Sequence, residues 1–393
     1  LIMHVPCWRL KKVHSLLLEK GPQMNKNIRV YVFSIIIMLF AQSANSGGWE
    51  ASTADTSFLY NQGNYAEIGS AQITYDITAN IQGQTDQKKM AKNQTRTAIA
   101  AKFQYGGFDF GIASYMSGAI QLDGQAAHAT GCPGTPANCS AVPSADVTLN
   151  SLALLSRYKF NNSISLIGGI NRYAIAGTGT VTSLTGHYEV TGDQIVPIVG
   201  LAYEMRDIAM RVELVIEPNT NISNFTAKTS ANSSTTTAAV TGESMKIPQT
   251  TTLNFQSGVA SNTLIYGTIR QGSWTDAQIS IPAGNSAAAI ASAFSNKTSY
   301  SVGVAQKFSE QLSTTFSYKT EAGSGSTSTD FFTLSDGSQT YSVGARYAMG
   351  NMMLSAGYSY TVLGDVTVSA GGASATYANN TISAFGAKVG ITF

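Results

Sequence analysis

Charge is scarce in this chain: Asp, Glu, Lys and Arg together make up 12% of its 393 residues, where a soluble domain carries about 25%. A water-soluble enzyme needs a charged surface to stay dispersed, so that class is disfavoured at the outset. Long apolar runs are equally rare. A single stretch near the start approaches the roughly 20 residues that a membrane helix requires, which excludes a helical membrane protein. Histidine is nearly absent, with four residues, and there are three cysteines. What replaces the missing charge is Ser, Thr, Asn, Gln and 37 Gly, beside an ordinary 43% of hydrophobic residues. The 18 Tyr and 16 Phe argue against disorder.

The apolar stretch reads as a secretory leader. Lys26 and Arg29 form a basic start, Val30 to Phe40 an apolar core, and Ala44-Asn45-Ser46 a cleavage site before Gly47. Ala41-Gln42-Ser43 is a competing site. Residues 1–23 then lie ahead of an expected initiator Met24 as an upstream extension, and residues 1–46 are set aside from the fold. Those 46 residues hold six basic groups and one acidic group, so the remainder has a net charge of −3 and no basic face for nucleic acid. Two cysteines stay behind, Cys132 and Cys139, in Cys-Pro-Gly-Thr-Pro-Ala-Asn-Cys. An even pair in an exported chain predicts a disulfide closing a small loop. The loop offers no further metal ligand, so a metal site is not expected, and no motif implies a cofactor.

From residue 64 onward the hydrophobic period is two. Ile99 to Tyr105, Leu152 to Phe160 and Ile208 to Leu214 each alternate apolar or aromatic residues with small, polar or charged ones. Fourteen such segments are predicted: 64–79, 96–106, 108–121, 147–160, 163–176, 194–206, 208–220, 246–259, 262–275, 297–309, 311–322, 338–349, 351–362 and 380–393. At roughly 11–16 residues they reach the 9–11 that a tilted strand needs to cross a bilayer. The connections alternate without exception. Six are tight, at Gly106-Gly107, Asn161-Asn162, Arg206-Asp207, Ala260-Ser261, Ser309-Glu310 and Gly350-Asn351; seven are long and polar. Short periplasmic turns opposite long external loops are the layout of an outer-membrane barrel of a Gram-negative bacterium. The fold predicted is therefore all-β, a transmembrane antiparallel β-barrel of about 14 strands over residues 64–393. The last strand places Phe385, Val389, Ile391 and Phe393 on one face, and a terminal aromatic such as Phe393 is similar to the signal read by the barrel assembly machinery.

Six segments resemble the FadL/OmpP1/TodX family of outer-membrane transport proteins. They are Phe58 to Ile68 with its Gly63-Asn64-Tyr65-Ala66-Glu67 core, Leu155 to Asn161, Gly200 to Val212, Ile247-Pro248-Gln249-Thr250 through Ile269-Arg270 to Trp274-Thr275-Asp276, Tyr300 to Phe308, and Gly364 to Thr367 with the last strand. The resemblance implies a fourteen-stranded barrel, monomeric, plugged by an N-terminal hatch. It implies passive uptake of hydrophobic molecules such as long-chain fatty acids or aromatic hydrocarbons, with sideways release through the barrel wall into the outer-membrane lipid. The hatch is where this chain departs: residues 47–63 are few, and the family's Asn-Pro-Ala segment is absent.

Parity turns Lys102, Arg157, Lys159, Arg211, Glu213, Lys307, Lys319, Arg346 and Lys388 away from the apolar face and into the lumen. Arg157, Lys159, Arg211, Lys307 and Arg346 are candidates to meet a ligand carboxylate. The alternative is that they pair with Glu204, Glu213, Glu217 and Glu321. Trp49, Phe58, Leu59 and Tyr60 form either a reduced plug that touches ligand or an aromatic girdle on the rim. Ala287 to Ala293 reads as either a short external helix or a flexible loop. An enzyme is not expected: once the leader is gone, His128 and His187 are the only histidines, and neither sits in a Ser/His/Asp pattern. The rival function is a general diffusion porin for small hydrophilic solutes.

Overall fold

The computed structural model describes residues 54–81, 88–123, 144–180, 187–230, 237–285, 289–325, 327–330, 332–370 and 373–393. The leader and extension at 1–46, Trp49, His128 and the expected Cys132–Cys139 pair lie outside the described residues.

Fourteen strands form one closed antiparallel barrel. They are β1 (Tyr65–Asp76), β2 (Gln94–Tyr105), β3 (Phe108–Asp123), β4 (Ser144–Lys159), β5 (Ile164–Thr180), β6 (His187–Met205), β7 (Met210–Glu217), β8 (Thr250–Ala260), β9 (Thr263–Gly272), β10 (Lys297–Lys307), β11 (Leu312–Glu321), β12 (Ser338–Met349), β13 (Met352–Leu363) and β14 (Thr381–Thr392). Each strand pairs with its neighbours in sequence. β14 closes onto β1 over twelve residue pairs, from Tyr65↔Thr392 to Asp76↔Thr381. All the tight turns predicted from the sequence lie at one end, here the turn end, with the start of β1 and the close of β14. The long connections lie at the other, the loop end. Gly106 in the β2–β3 turn has φ 57°, a left-handed conformation that carries no steric cost only for glycine.

Strand bounds agree with the predicted segments on the turn side; on the loop side β4, β5 and β6 run beyond them, and β1, β7, β8 and β9 stop about three or four residues short. β6 begins at His187 rather than 194, and its added residues pair with Thr226–Ser230. The outward residues there are Glu189, Thr191 and Asp193, while Ile195, Val199 and Leu201 follow below. The strand therefore continues after its outer face has turned polar, and the apolar alternation stops first.

Outside, the barrel is apolar. Ile68, Ile112, Leu154, Val199, Val302 and Val343 are all exposed on its surface, 45–54% by residue. At the turn end Phe108, Phe110, Tyr158 and Phe160 stack in a chain of ring contacts, with centroids 4.6–5.5 Å apart. That chain is the aromatic girdle, on the outer wall.

Four buried apolar clusters are present among the described residues, the smallest being Leu264, Tyr266 and Ala305 on β9 and β10. One at the loop end joins the inner faces of β3–β6 to loop residues Ile222, Met245, Trp274 and Phe294. A second joins β1 and β14 to a small external sheet containing Ile81, Val368 and Tyr377. A third lies nearer the turn end and holds Phe58, Leu59 and Tyr60. The wall of β10–β13 differs, because its inward residues are small hydroxyls such as Ser299, Ser342, Ser359 and Thr361. The described part of 287–293 is not helical: Ile290–Ala291 is a two-residue strand on Ile279–Ile281. Pairing to a neighbouring strand outweighs the mild helix preference of its alanines.

The loop between β11 and β12 is clamped by Asp336. Its carboxylate accepts the N–H groups of Ser324 (2.6 Å) and Gly325 (2.7 Å) and sits 3.3 Å from Lys297 Nζ. Burial alone would raise the Asp336 carboxyl, but those two N–H donors and the Lys297 ammonium outweigh it and hold the group below the ordinary range. A carboxylate with a depressed folded value stabilises above its unfolded value and loses that contribution as pH falls through the folded one. Protection of the Ser324 and Gly325 amides from hydrogen exchange should thus hold from neutral pH to about pH 4 and drop below it. Lys297→Met should shift the drop upward in pH. For the wall itself, Val343→Arg near mid-strand should cost about 2–4 kcal/mol in a lipid-vesicle unfolding titration, and the inward Ser342→Arg much less.

Candidate functional site

The site is built where the N-terminal segment enters the barrel. The chain bends at Gly63 (φ 62°) beside the end of β14 and turns inward. Ser57–Tyr60 forms one 3-10 turn. Phe58, Leu59 and Tyr60 are 1%, 0% and 5% exposed. They pack on inward residues of β1–β7, among them Ala113, Ala153, Leu155 and Val215. These three side chains are inside the barrel and not on its rim. Gly111 makes room for them, since a Cβ there would stand 2.6 Å from both Leu59 Cδ2 and Phe58 Cε2.

Beneath this turn lies a buried set of charges. Asp109 on β3 is fully buried and faces three cations: Lys159 at 2.8 Å, Lys102 at 3.1 Å and Arg157 at 3.8 Å. Arg157 also reaches Glu204 at 2.5 Å and Ser165 Oγ at 3.1 Å. Both cationic side chains then hold the hatch backbone. Lys102 donates to the carbonyls of Asn61 and Leu59, and Arg157 to that of Leu59 at 3.4 Å. A short 3-10 turn leaves such carbonyls without intrahelical partners, and here ammonium and guanidinium groups supply them.

Tyr60 is the centre of the arrangement. The guanidinium carbons of Arg157 on β4 and Arg211 on β7 lie 3.9 and 3.8 Å from its ring centroid. Its hydroxyl donates to Glu213 Oε2 at 2.5 Å. Thr56 Oγ1 donates to the other oxygen of Glu213 at 2.6 Å, and Asn254 Nδ2 on β8 donates to it at 2.9 Å. Burial, and then the Glu213 carboxylate, push the Tyr60 hydroxyl well above its ordinary pKa, so it stays a donor. Further up, the Ala54 N–H meets the carboxylate of Glu217. Arg211, Glu213 and Glu217 share the inward face of β7, spanning roughly 20 Å at the rise of an extended strand. The N-terminal segment follows that face.

Every cation that parity turned inward does point inward. Arg157 and Arg211 come together on Tyr60, and Lys159 joins through Asp109. Lys307 pairs with Glu310 at the β10–β11 turn, 3.0 Å away, and Lys388 pairs with Glu67 at 2.9 Å. Arg346 stands on the opposite wall, in register with Ser313 and Ser355. Of the anticipated carboxylate partners, Glu204 pairs with Arg157, while Glu213 accepts from Thr56, Tyr60 and Asn254. Asp109, Thr56 and Asn254 escaped the sequence reading. Asp109 was accessible to it, because it alternates with Phe108 and Phe110; Thr56 and Asn254 carried no pattern.

Removing one partner from a buried ion cluster strands the others, at about 3–5 kcal/mol. Asp109→Asn should therefore lower unfolding stability by that order, and Lys102→Met combined with it should recover part of the loss, measured by denaturant titration in detergent.

No family model matches the sequence, and no curated protein sequence matches it. Solved structures do. A FadL homologue from Pseudomonas aeruginosa is 12% identical, with a TM-score of 0.69 over 90% of this chain and 99% of that one. The Pseudomonas putida toluene transporter TodX is 11% identical, with a TM-score of 0.61 over 90% and 98%. The Ralstonia pickettii toluene transporter TbuX is 10% identical, with a TM-score of 0.56 over 85% and 91%. The fold of this chain, a closed fourteen-stranded antiparallel barrel, is that of the FadL-type barrels.

Proposed function

We propose that this protein is an outer-membrane channel for passive uptake of hydrophobic molecules. One observation carries the reading: a lipid-facing barrel whose lumen is closed toward the turn end by an apolar hatch and packed with apolar side chains at the loop end. A water-filled porin has a polar interior instead. Cargo of the fatty-acid or aromatic-hydrocarbon class would be desolvated at the loop end, pass along the apolar face of β1–β7 and reach Phe58, Leu59 and Tyr60. The turn end then faces the periplasm, with the girdle and Phe393 at that boundary, and the barrel works as a monomer delivered by the assembly machinery. Lateral release is best supported at β3. Its pairing with β4 slips between Met116 and Gly118, where the wall has an irregular ladder at mid-strand. No step calls for catalysis or a cofactor.

The inward cations are already engaged in holding the hatch and in ion pairs, which favours a neutral cargo over an acid. A carboxylate ligand would have to compete for Arg157, Lys159 or Arg211 with Asp109 and Glu204, or engage Lys307 and Arg346 across the lumen. The second reading, a diffusion porin, is favoured by the hydroxyl-lined wall of β10–β13.

Proteoliposomes separate the two. Toluene or fatty-acid entry faster than in protein-free vesicles, with no swelling in arabinose, is the expected result; swelling without hydrophobic uptake would select the porin. Deleting residues 47–60 should raise conductance to small ions several-fold, because it removes the closure.

A further inference from the structure

The ring of Tyr60 is bound by groups the hatch turn does not contain. Two guanidiniums from strands three apart, Arg157 and Arg211, cover the ring at 3.9 and 3.8 Å, and a third strand-borne group, Glu213, accepts its hydroxyl. Two of these walls, Arg157 and Glu213, are held by partners other than Tyr60. Arg157 is pinned by Ser165 at 3.1 Å and Glu204 at 2.5 Å, and Glu213 by Asn254 at 2.9 Å. All are buried, with Arg157, Arg211 and Glu213 no more than 6% exposed. Two of the three walls are thus preorganised, and a ring entering the slot has only the Arg211 side chain to order. Its chemistry is specific. Cationic faces want an electron-rich ring, and a carboxylate at the edge wants an O–H donor in the ring plane.

We propose that the Arg157–Arg211–Glu213 slot is a binding site for hydroxylated monoaromatic compounds, phenols, and that Tyr60 occupies it as a built-in surrogate ligand. The side chain of tyrosine is itself a 4-alkylphenol. A free phenol that takes its place releases the 3-10 turn, since the ring contacts and one of the two hatch hydrogen bonds to Glu213 go with Tyr60. Cargo then opens its own gate. Because the tethered ring competes at an effective concentration of order millimolar, free phenol acts in that range and leaves readily, as a channel requires. This inference rests on the uptake reading for its physiological meaning, while the site itself is testable apart from it.

The test uses the full chain in planar bilayers and vesicles. Tyr60→Gly vacates the slot and should raise ion conductance. Added p-cresol should then leave conductance high and bind the vacated slot at a lower concentration than opens the wild-type channel, because no tethered ring competes, as read by equilibrium dialysis against the detergent-solubilised protein. Toluene, which lacks the hydroxyl, should need about tenfold more, the discrimination of one buried hydrogen bond to a charged acceptor. Cyclohexanol, whose ring is saturated and offers no π face, should not bind there. Glu213→Gln on the same background should erase the preference of p-cresol over toluene. Should Tyr60→Gly not assemble, Tyr60→Phe serves: it weakens the tethered competitor, so p-cresol should open the channel at lower concentration than in wild type. Equal potency of p-cresol and toluene, or no response to p-cresol in either variant, would overturn the site. Toluene entry through the wild-type protein with no p-cresol preference defeats this inference and leaves the uptake reading standing. A p-cresol response without uptake of any hydrophobic compound does the reverse.

Discussion

Hydrocarbon has no hydrogen-bond partners to offer a peptide group, and everything in this chain follows from that. Fourteen strands close on themselves so that each N–H and C=O is met by a neighbour, with β14 returning to β1 as the last pairing. Closure fixes the rest. Odd and even residues are sorted to lipid and lumen, the outer row is apolar because a charge there is expensive, and the few charged residues are driven to the inner row or the ends. The 12% of charged residues is thus a consequence of geometry, not an accident of composition.

Confined to the lumen, those charges solve a second problem. The described segment before β1, residues 54–64, brings only three large apolar side chains, Phe58, Leu59 and Tyr60, with which to hold the barrel shut. Buried ions hold it as well: Lys102 and Arg157 on its carbonyls, Glu213 on Thr56 and Tyr60, guanidiniums on the Tyr60 ring. Ionic contacts in a dry interior are strong but switchable. They depend on geometry at every partner, so displacement of one ring loosens several contacts together. A purely apolar plug of the same size would lack that property. The counterweight is Asp109, whose single buried carboxylate keeps three cations from repelling one another.

Much of this was legible beforehand, and particular residues explain why. A period of two is a strong signal wherever lipid enforces it, so Ile99, Phe103, Leu154 and Val302 announced their face, and Lys102, Arg157 and Arg211 announced theirs by contrast. The signal ended where the enforcement ended. Along the upper part of β6 the outward residues are Glu189, Thr191 and Asp193, and the strand ran on unannounced. Phe58 to Tyr60 were ambiguous between girdle and plug, since both environments take aromatics. The girdle turned out to be Phe108, Phe110, Tyr158 and Phe160.

Sequence alone determined the barrel, its strand number, the gathering of the long connections at one end and the direction of each inward cation, because each of these depends on local alternation and connection length. The partners were decided by the tertiary structure. Thr56 and Tyr60 meet Glu213 across 157 and 153 residues of chain, and Arg157 meets Arg211 on one ring from strands three apart. Contacts between residues so distant depend on the curvature and register of a closed sheet, which no local pattern encodes.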